Sequence, residues 1–187
     1  MEIYVTRHGI TPLNIARKVN GEIDESLALE GMAQARAAAS LVPENIRFIY
    51  HSPLQRARHT AQLLNSNLKR PLIETPELTE VRMGSLAGFS WEEMPEGLEL
   101  KRKHRTVTFD YGPYGGESTE EVIIRLSRLL KRVKDNHLNK EVLLVTHGGI
   151  IRTLHYLEQG NVVDDTERHI NLVELNIVRI LNSPLIR

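Results

Sequence analysis

The sequence predicts a layered α/β domain, and three observations predict it. Short apolar runs alternate along the chain with longer segments of helical character. The clearest run, EVLLVT, is apolar from Val142 to Val145, as suits a central strand covered on both faces. No linker or internal repeat divides the 187 residues, so a single domain over 1–187 with one full-sized core is expected.

Taken in order, Ile3, Tyr4 and Val5 start a short strand that stops at Gly9. From Gly9 to Leu27 the chain is rich in Gly, Asn, Asp and Thr and reads mostly as surface loop. Leu29 to Leu41 reads as a helix, where Ala33, Ala35, Ala37, Ala38 and Ala39 give high propensity and a slim packing surface. FIYHSP at 48–53 is the second strand, RARHTAQLLN at 56–65 a helix behind it, and PLIETPEL at 71–78 a third strand. The stretch 82–116 is the least regular, and a helical piece between two glycine-rich turns fits it best. From Glu117 to Val133, Val122, Ile123, Leu126, Leu129 and Leu130 fall close to a helical period. Ser118 and Glu121 stand where a capping box would start that helix. A further helix is expected after Gly149, and INLVELNIVRI at 170–180 supplies a last strand.

Composition narrows the function classes. Lys+Arg and Asp+Glu both number 24, which disfavours nucleic-acid binding while leaving room for a local basic pocket. With no Cys, the chain has no disulfide, thiolate nucleophile or Cys-based metal site. No apolar run approaches the ~20 residues that span a membrane. The N-terminus reads as a strand rather than a signal peptide, so a cytoplasmic protein is expected.

The chemistry gathers where two apolar runs end alike, in Thr6-Arg7-His8-Gly9 and Thr146-His147-Gly148-Gly149. In an open α/β sheet the crevice lies beyond the carboxyl ends of the strands. Arg7 sits beside His8, and Arg56 follows the second strand after SPLQ. Two guanidiniums and two imidazoles meeting there would bind a phosphoryl group, because the planar guanidinium donates two hydrogen bonds together. Imidazole is also a nucleophile when one ring nitrogen is held by a hydrogen bond and the other faces the phosphorus. Glu80, before the irregular loop, is the candidate to protonate the leaving oxygen and then serve as base toward water. Each residue taken singly has a plainer reading: a strand-end histidine satisfying hydrogen bonds, a solvated helix arginine, a loop carboxylate.

TRHG at 6–9 with Thr11 and Asn14 resembles the signature of the histidine phosphatase superfamily, which includes the cofactor-dependent phosphoglycerate mutases. The resemblance continues through Gly21, Asp24, Leu27, Gly31 and Gln34, spaced as G-x-x-D-x-x-L-x-x-x-G-x-x-Q. It reappears in SPLQRARHTA at 52–61, LTEVRMG at 78–84, GGES at 115–118 and LLVTHGG at 143–149, in family order. It implies a phosphoglycerate mutase-like three-layer sandwich with a mainly parallel central sheet flanked by helices. It implies His8 as the phosphorylated nucleophile, Arg7, Arg56 and His147 holding the phosphoryl group, and Glu80 as acid and base. It implies phosphate contacts from Asn14 and the Gly148 N–H, with neither metal nor cofactor. The region near 82–116 would then cap the substrate.

The reading is a metal-independent phosphomonoesterase acting on a small phosphorylated metabolite. A bisphosphoglycerate-dependent phosphoglycerate mutase and a non-catalytic phospho-ligand binder are the alternatives. The short interval between the acid loop and the second histidine, lacking the mutase insert, favours hydrolysis. Many relatives carry Glu where GSLAG places Ala87, which leaves the consequence for substrate choice open. His51, His59, His104, His137, His155 and His169 show no metal-ligand spacing and read as structural or exposed. Lys101 to Arg105 reads as a solvated face that draws anions toward the crevice, and Arg152 as an ion-pairing residue. Oligomeric state stays open, and the sequence names no protein partner.

Overall fold

A computed structural model of the chain describes residues 2–159 and 178–180. Its elements run β1 (Ile3–Arg7), α1 (Pro12–Ile15), α2 (Leu29–Ala38), β2 (Ile46–His51), α3 (Gln55–Leu64), β3 (Leu72–Glu74), α4 (Gly97–Arg105), α5 (Thr119–Asn136), β4 (Glu141–Thr146), α6 (Gly148–Gln159) and β5 (Val178–Ile180). The strands form one sheet in the order β3-β2-β4-β1-β5. The first four are mutually parallel, and β5 runs antiparallel to β1.

Alternation along β4 sorts the two faces of the sheet. Leu143 and Val145 join Ile49 of β2 and meet Ala38 of α2 and Ala57, Ala61 and Leu64 of α3. Val142 and Leu144 join Val5 on the other face, against α5 and Ile150, Ile151, Leu154 and Leu157 of α6. Helices on both sides of a mainly parallel sheet give the expected three layers. α5 is tied down by Val122, Leu126, Leu129, Leu130 and Val133, all buried. Burying five such side chains contributes on the order of 10 kcal/mol before chain entropy is subtracted. Its start is the expected capping box: Ser118 Oγ accepts from the Glu121 N–H, and Glu121 Oε2 accepts from the Ser118 N–H at 2.8 Å.

Several boundaries moved for local reasons. The segment 9–27 contains the short helix α1, because Thr11 and Asn14 form a capping box around Pro12 at its first position. β3 ends at Glu74, and Pro76 opens a single 3₁₀ turn instead of continuing the strand. The helical piece expected within 82–116 is α4. The last strand is described only over Val178–Ile180; the rest of INLVELNIVRI, and His169, lie outside the described residues. No helix among the described residues is long and apolar enough to cross a membrane.

Candidate active site

Register brings the two strand-end histidines together. β1 and β4 are adjacent and parallel with Arg7 opposite Thr146, so the next residue of each strand is a histidine at the same level. The His8 N–H donates to Thr146 O at 3.0 Å. The two rings lie 5.1 Å apart between centroids, tilted by 58°. Both are buried, at 2% and 0% exposure.

His8 Nδ1 is 2.7 Å from Gly9 O. A carbonyl oxygen only accepts, so Nδ1 carries the proton and Nε2 presents a lone pair. Burial, then the charges of Arg56 and Arg7, push the His8 pKa well below the ordinary histidine value, against the smaller opposing effect of the Gly9 hydrogen bond. The imidazole is therefore neutral and unprotonated at Nε2 near neutrality. His147 is lowered in the same way, by burial first and then by Arg56 and His8. Its Nε2 lies 2.8 Å from Ser52 Oγ, and its buried Nδ1 has no hydrogen-bond partner among the described residues.

The loop after His8 is held by residues far along the chain. Gly9 and Gly31 face each other so closely that a Cβ on Gly9 would come within 2.5 Å of Gly31 O. Gln34 Oε1 accepts the Ile10 N–H at 3.1 Å. Thr60 Oγ1 accepts the Gly9 N–H at 3.1 Å and donates to Arg56 O at 2.7 Å. Arg56 itself is fully buried, donating from Nη1 to Ile23 O at 2.5 Å and from Nη2 to Gly21 O at 2.9 Å. Its Nε has no partner among the described residues. Burial lowers the Arg56 pKa, while Glu80, Glu25 and Asp24 act to keep the guanidinium charged. Asp24 also accepts the Gln55 N–H at 2.6 Å, at the start of α3. The spaced Gly, Asp, Leu, Gly and Gln are thus scaffolding for the segment between His8 and Arg56.

Glu80 stands on a loop clamped from both sides. Its own Oε1 accepts the Val81 N–H at 2.9 Å, and Oε2 is reached by the Gly149 N–H at 3.3 Å. A Cβ on Gly149 would lie 2.7 Å from Glu80 Oε1, so glycine is what lets this carboxylate sit against the start of α6. Downstream, Glu22 accepts the Met83 and Gly84 N–H groups at 2.8 and 2.9 Å, and Glu117 accepts the Arg82 N–H at 3.0 Å. Arg125 binds both oxygens of buried Glu117 at 3.1 Å and donates to Glu77 O, with Glu80 O at 3.5 Å from its Nη2. Burial first, and then the charge of Glu80, raise the pKa of Tyr111.

These pieces surround a cavity of about 250 Å³. Arg7, His8, Asn14, Glu80 and Gly148 line it, whereas Arg56 and His147 are buried beside His8 and do not form its wall. Asn14 donates from Nδ2 to Asn20 at 2.7 Å and accepts the Thr11 N–H at 3.2 Å, which leaves one amide hydrogen for a ligand. Lys101, His104, Arg105 and Arg152 also line the cavity, so the 101–105 run borders the crevice toward which it was expected to draw anions, while Arg102 and Lys103 pair with Glu99 on the surface. His104 is buried, with Nδ1 3.1 Å from the Tyr111 hydroxyl. His51 and His137 are structural as expected: Nδ1 of the first meets Ser52 O at 2.9 Å, and the second meets the Tyr50 hydroxyl at 2.6 Å. Ser52, Thr60, Glu22 and Arg125 were not singled out from the sequence. For Ser52 and Thr60 the signal was present, since both lie inside SPLQRARHTA. Among the described residues no three His, Cys, Asp or Glu side chains are grouped to hold a metal ion.

Residues 3–183 match the histidine phosphatase superfamily (branch 1). Phosphoglycerate mutase-like protein 4 of Arabidopsis thaliana is 34% identical over 161 residues, covering 82% of this chain and 69% of its own. The metal-independent phosphoserine phosphatase of the same plant is 33% identical over 162 residues, covering 82% and 67%. The mycobacterial glucosyl-3-phosphoglycerate phosphatase, solved with VO3, superposes with a TM-score of 0.77 at 27% identity over 86% of this chain and 83% of that one. The chain belongs to branch 1 of the histidine phosphatase superfamily and is an enzyme of the histidine phosphatase type.

Proposed function

We propose that the protein is a metal-independent phosphomonoesterase that hydrolyses a small phosphorylated metabolite through a phosphohistidine on His8. The observation that carries this reading is the His8 ring, buried and neutral, with Nδ1–H bound to Gly9 O and Nε2 left as a lone pair beside Arg7, Arg56 and His147. In the first step Nε2 attacks phosphorus as the bond from phosphorus to the alcohol oxygen breaks. Arg7, Asn14 and the Gly148 N–H meet the phosphoryl oxygens from the cavity wall as charge redistributes over them, and Arg56 and His147, buried beside His8, act through Nε and Nδ1, the atoms that each leaves without a partner among the described residues. A proton on Ser52 Oγ directed at His147 Nε2 leaves His147 Nδ1–H to donate to one of those oxygens. Glu80 gives its proton to the leaving alkoxide, then takes one from water, which attacks phosphorus and breaks the N–P bond to release inorganic phosphate. Trp91 and His104, from 82–116, line the cavity, which supports a substrate-capping role for that segment, and the cavity's volume suits a small molecule.

The test is phosphate release from a chemically varied set of phosphomonoesters in the presence of a metal chelator, with vanadate as inhibitor. The expected outcome is undiminished, vanadate-sensitive release. Activity that requires an added divalent ion would sink the metal-independent reading. Bisphosphoglycerate-dependent isomerisation of phosphoglycerate exceeding phosphate release would replace it with the mutase.

A further inference from the structure

The loop that carries Glu80 is held from two sides by carboxylates in different circumstances. On one side Glu117 accepts the Arg82 N–H and is balanced by the Arg125 guanidinium. On the other, Glu22 accepts the Met83 N–H at Oε2, 2.8 Å away, and the Gly84 N–H at Oε1, 2.9 Å away. Both Glu22 oxygens are thus engaged by main chain, and the side chain has no ion pair among the described residues. A half-buried carboxylate given over to two successive amides, with no cation to meet, serves to place a stretch of backbone.

What Glu22 is attached to gives that placement its meaning. The carbonyls on either side of it, Gly21 O and Ile23 O, are the two that accept from Arg56. The same segment is joined to the far end of the acid loop, for the Val19 N–H donates to Phe89 O at 2.9 Å and the Gly88 N–H to Val19 O at 2.8 Å. The two loops meet closely: a Cβ on Gly21 would lie 3.1 Å from Ala87 Cβ and 3.5 Å from Met83 Cβ. Val81 and Met83, between Glu80 and the Glu22 contact, are both buried. In such packing a shift of the turn at 83–84 is passed along to the Glu80 main chain.

We infer that Glu22 is a positioning residue for Glu80, tying the segment that orients Arg56 to the loop that carries the acid, so that phosphoryl clamp and proton donor keep one spacing. The role deepens the phosphatase reading and rests on it, since Glu80 acts there on the leaving oxygen. Without the Glu22 carboxylate, the Met83 and Gly84 N–H groups lose their acceptor and the turn moves to find another. Arg56 keeps Gly21 O and Ile23 O, which are main-chain atoms, so phosphoryl binding does not depend on the Glu22 side chain.

Glu22→Ala, Glu22→Gln and the double variant of Glu22→Ala with Glu80→Gln test this on an activated aryl phosphate and on the alkyl phosphate turned over best. Glu22→Ala should slow alkyl turnover about 10- to 100-fold, the cost of misplacing a reacting group rather than removing it. The fall should lie in kcat, with KM and vanadate inhibition held within about threefold. The activated ester should still give a burst of one equivalent of aryl alcohol, followed by a slowed phase. Glu22→Gln, which keeps one acceptor oxygen, should fall between the wild type and Glu22→Ala. In the Glu80→Gln background, Glu22→Ala should change alkyl turnover by less than about threefold, because the group it positions is already gone. Loss of the burst along with alkyl turnover would mean general damage to the site and overturns the role. A full Glu22→Ala effect on top of Glu80→Gln overturns it too, as does wild-type turnover in Glu22→Ala. A wild-type protein that releases phosphate from neither ester overturns the phosphatase reading first, and this role with it.

Discussion

His8→Ala is expected to lower kcat by at least about four orders of magnitude, the scale seen when a nucleophile is deleted from a site that otherwise survives. In the proposed mechanism the substitution removes the lone pair that attacks phosphorus, but it removes few of the contacts that hold the fold. Gly9 stays anchored by its N–H to Thr60 and by its fit against Gly31. Arg56 keeps its bonds to Gly21 O and Ile23 O. Phosphate or vanadate should therefore still bind. Trp91 is the chain's single tryptophan and lines the cavity, so its fluorescence reports that binding directly. Retained binding with lost turnover separates a missing nucleophile from a collapsed site. Substantial turnover in the variant would assign the nucleophile elsewhere.

Glu80→Gln is expected to slow alkyl phosphates by about 10²- to 10⁴-fold, the usual worth of a positioned acid or base. The effect should depend on the leaving group. An activated aryl phosphate departs without protonation, so the variant should still form phosphohistidine rapidly and show a burst of one equivalent of aryl alcohol. The slow phase after the burst then reports water attack without its base. Alkyl substrates should show no burst, because their first step is already slow. Gly149→Ala should give a milder form of the same pattern, since a Cβ there would press on Glu80 Oε1 without removing it. Loss of the burst with the activated ester would remove Glu80 from the role of leaving-group acid.

The strand-end histidines were legible because their chemistry is written in contiguous residues, and the parallel register of β1 with β4 does the rest. α5 was legible for a similar reason: its apolar period and the Ser118–Glu121 cap are both local signals. The cavity wall was not. Lys101, His104 and Arg105 look like a solvated run until α4 packs by its His104 side near Trp91, Phe109 and Tyr111, an arrangement no local period reveals. Arg125 likewise sits on an amphipathic helix where a charged residue reads as solvent-facing, yet it reaches Glu77 O and Glu117 across the acid loop. Glu117 stands in a glycine-rich turn that looks like a cap and in fact also accepts the Arg82 N–H. Side chains whose partners are tens of residues away in sequence leave no periodic trace. α1 was missed at a smaller scale, for a helix of four residues is too short to show a period.

The most direct measurement is rapid quenching of the wild-type protein with a phosphomonoester labelled in the phosphoryl group, followed by peptide mapping under alkaline conditions that preserve phosphohistidine. The mechanism predicts label on the peptide containing His8, formed within the first turnover and discharged at a rate no slower than kcat. Phosphate appearing from the first turnover with no protein-bound label, or label on His147 instead, would contradict it.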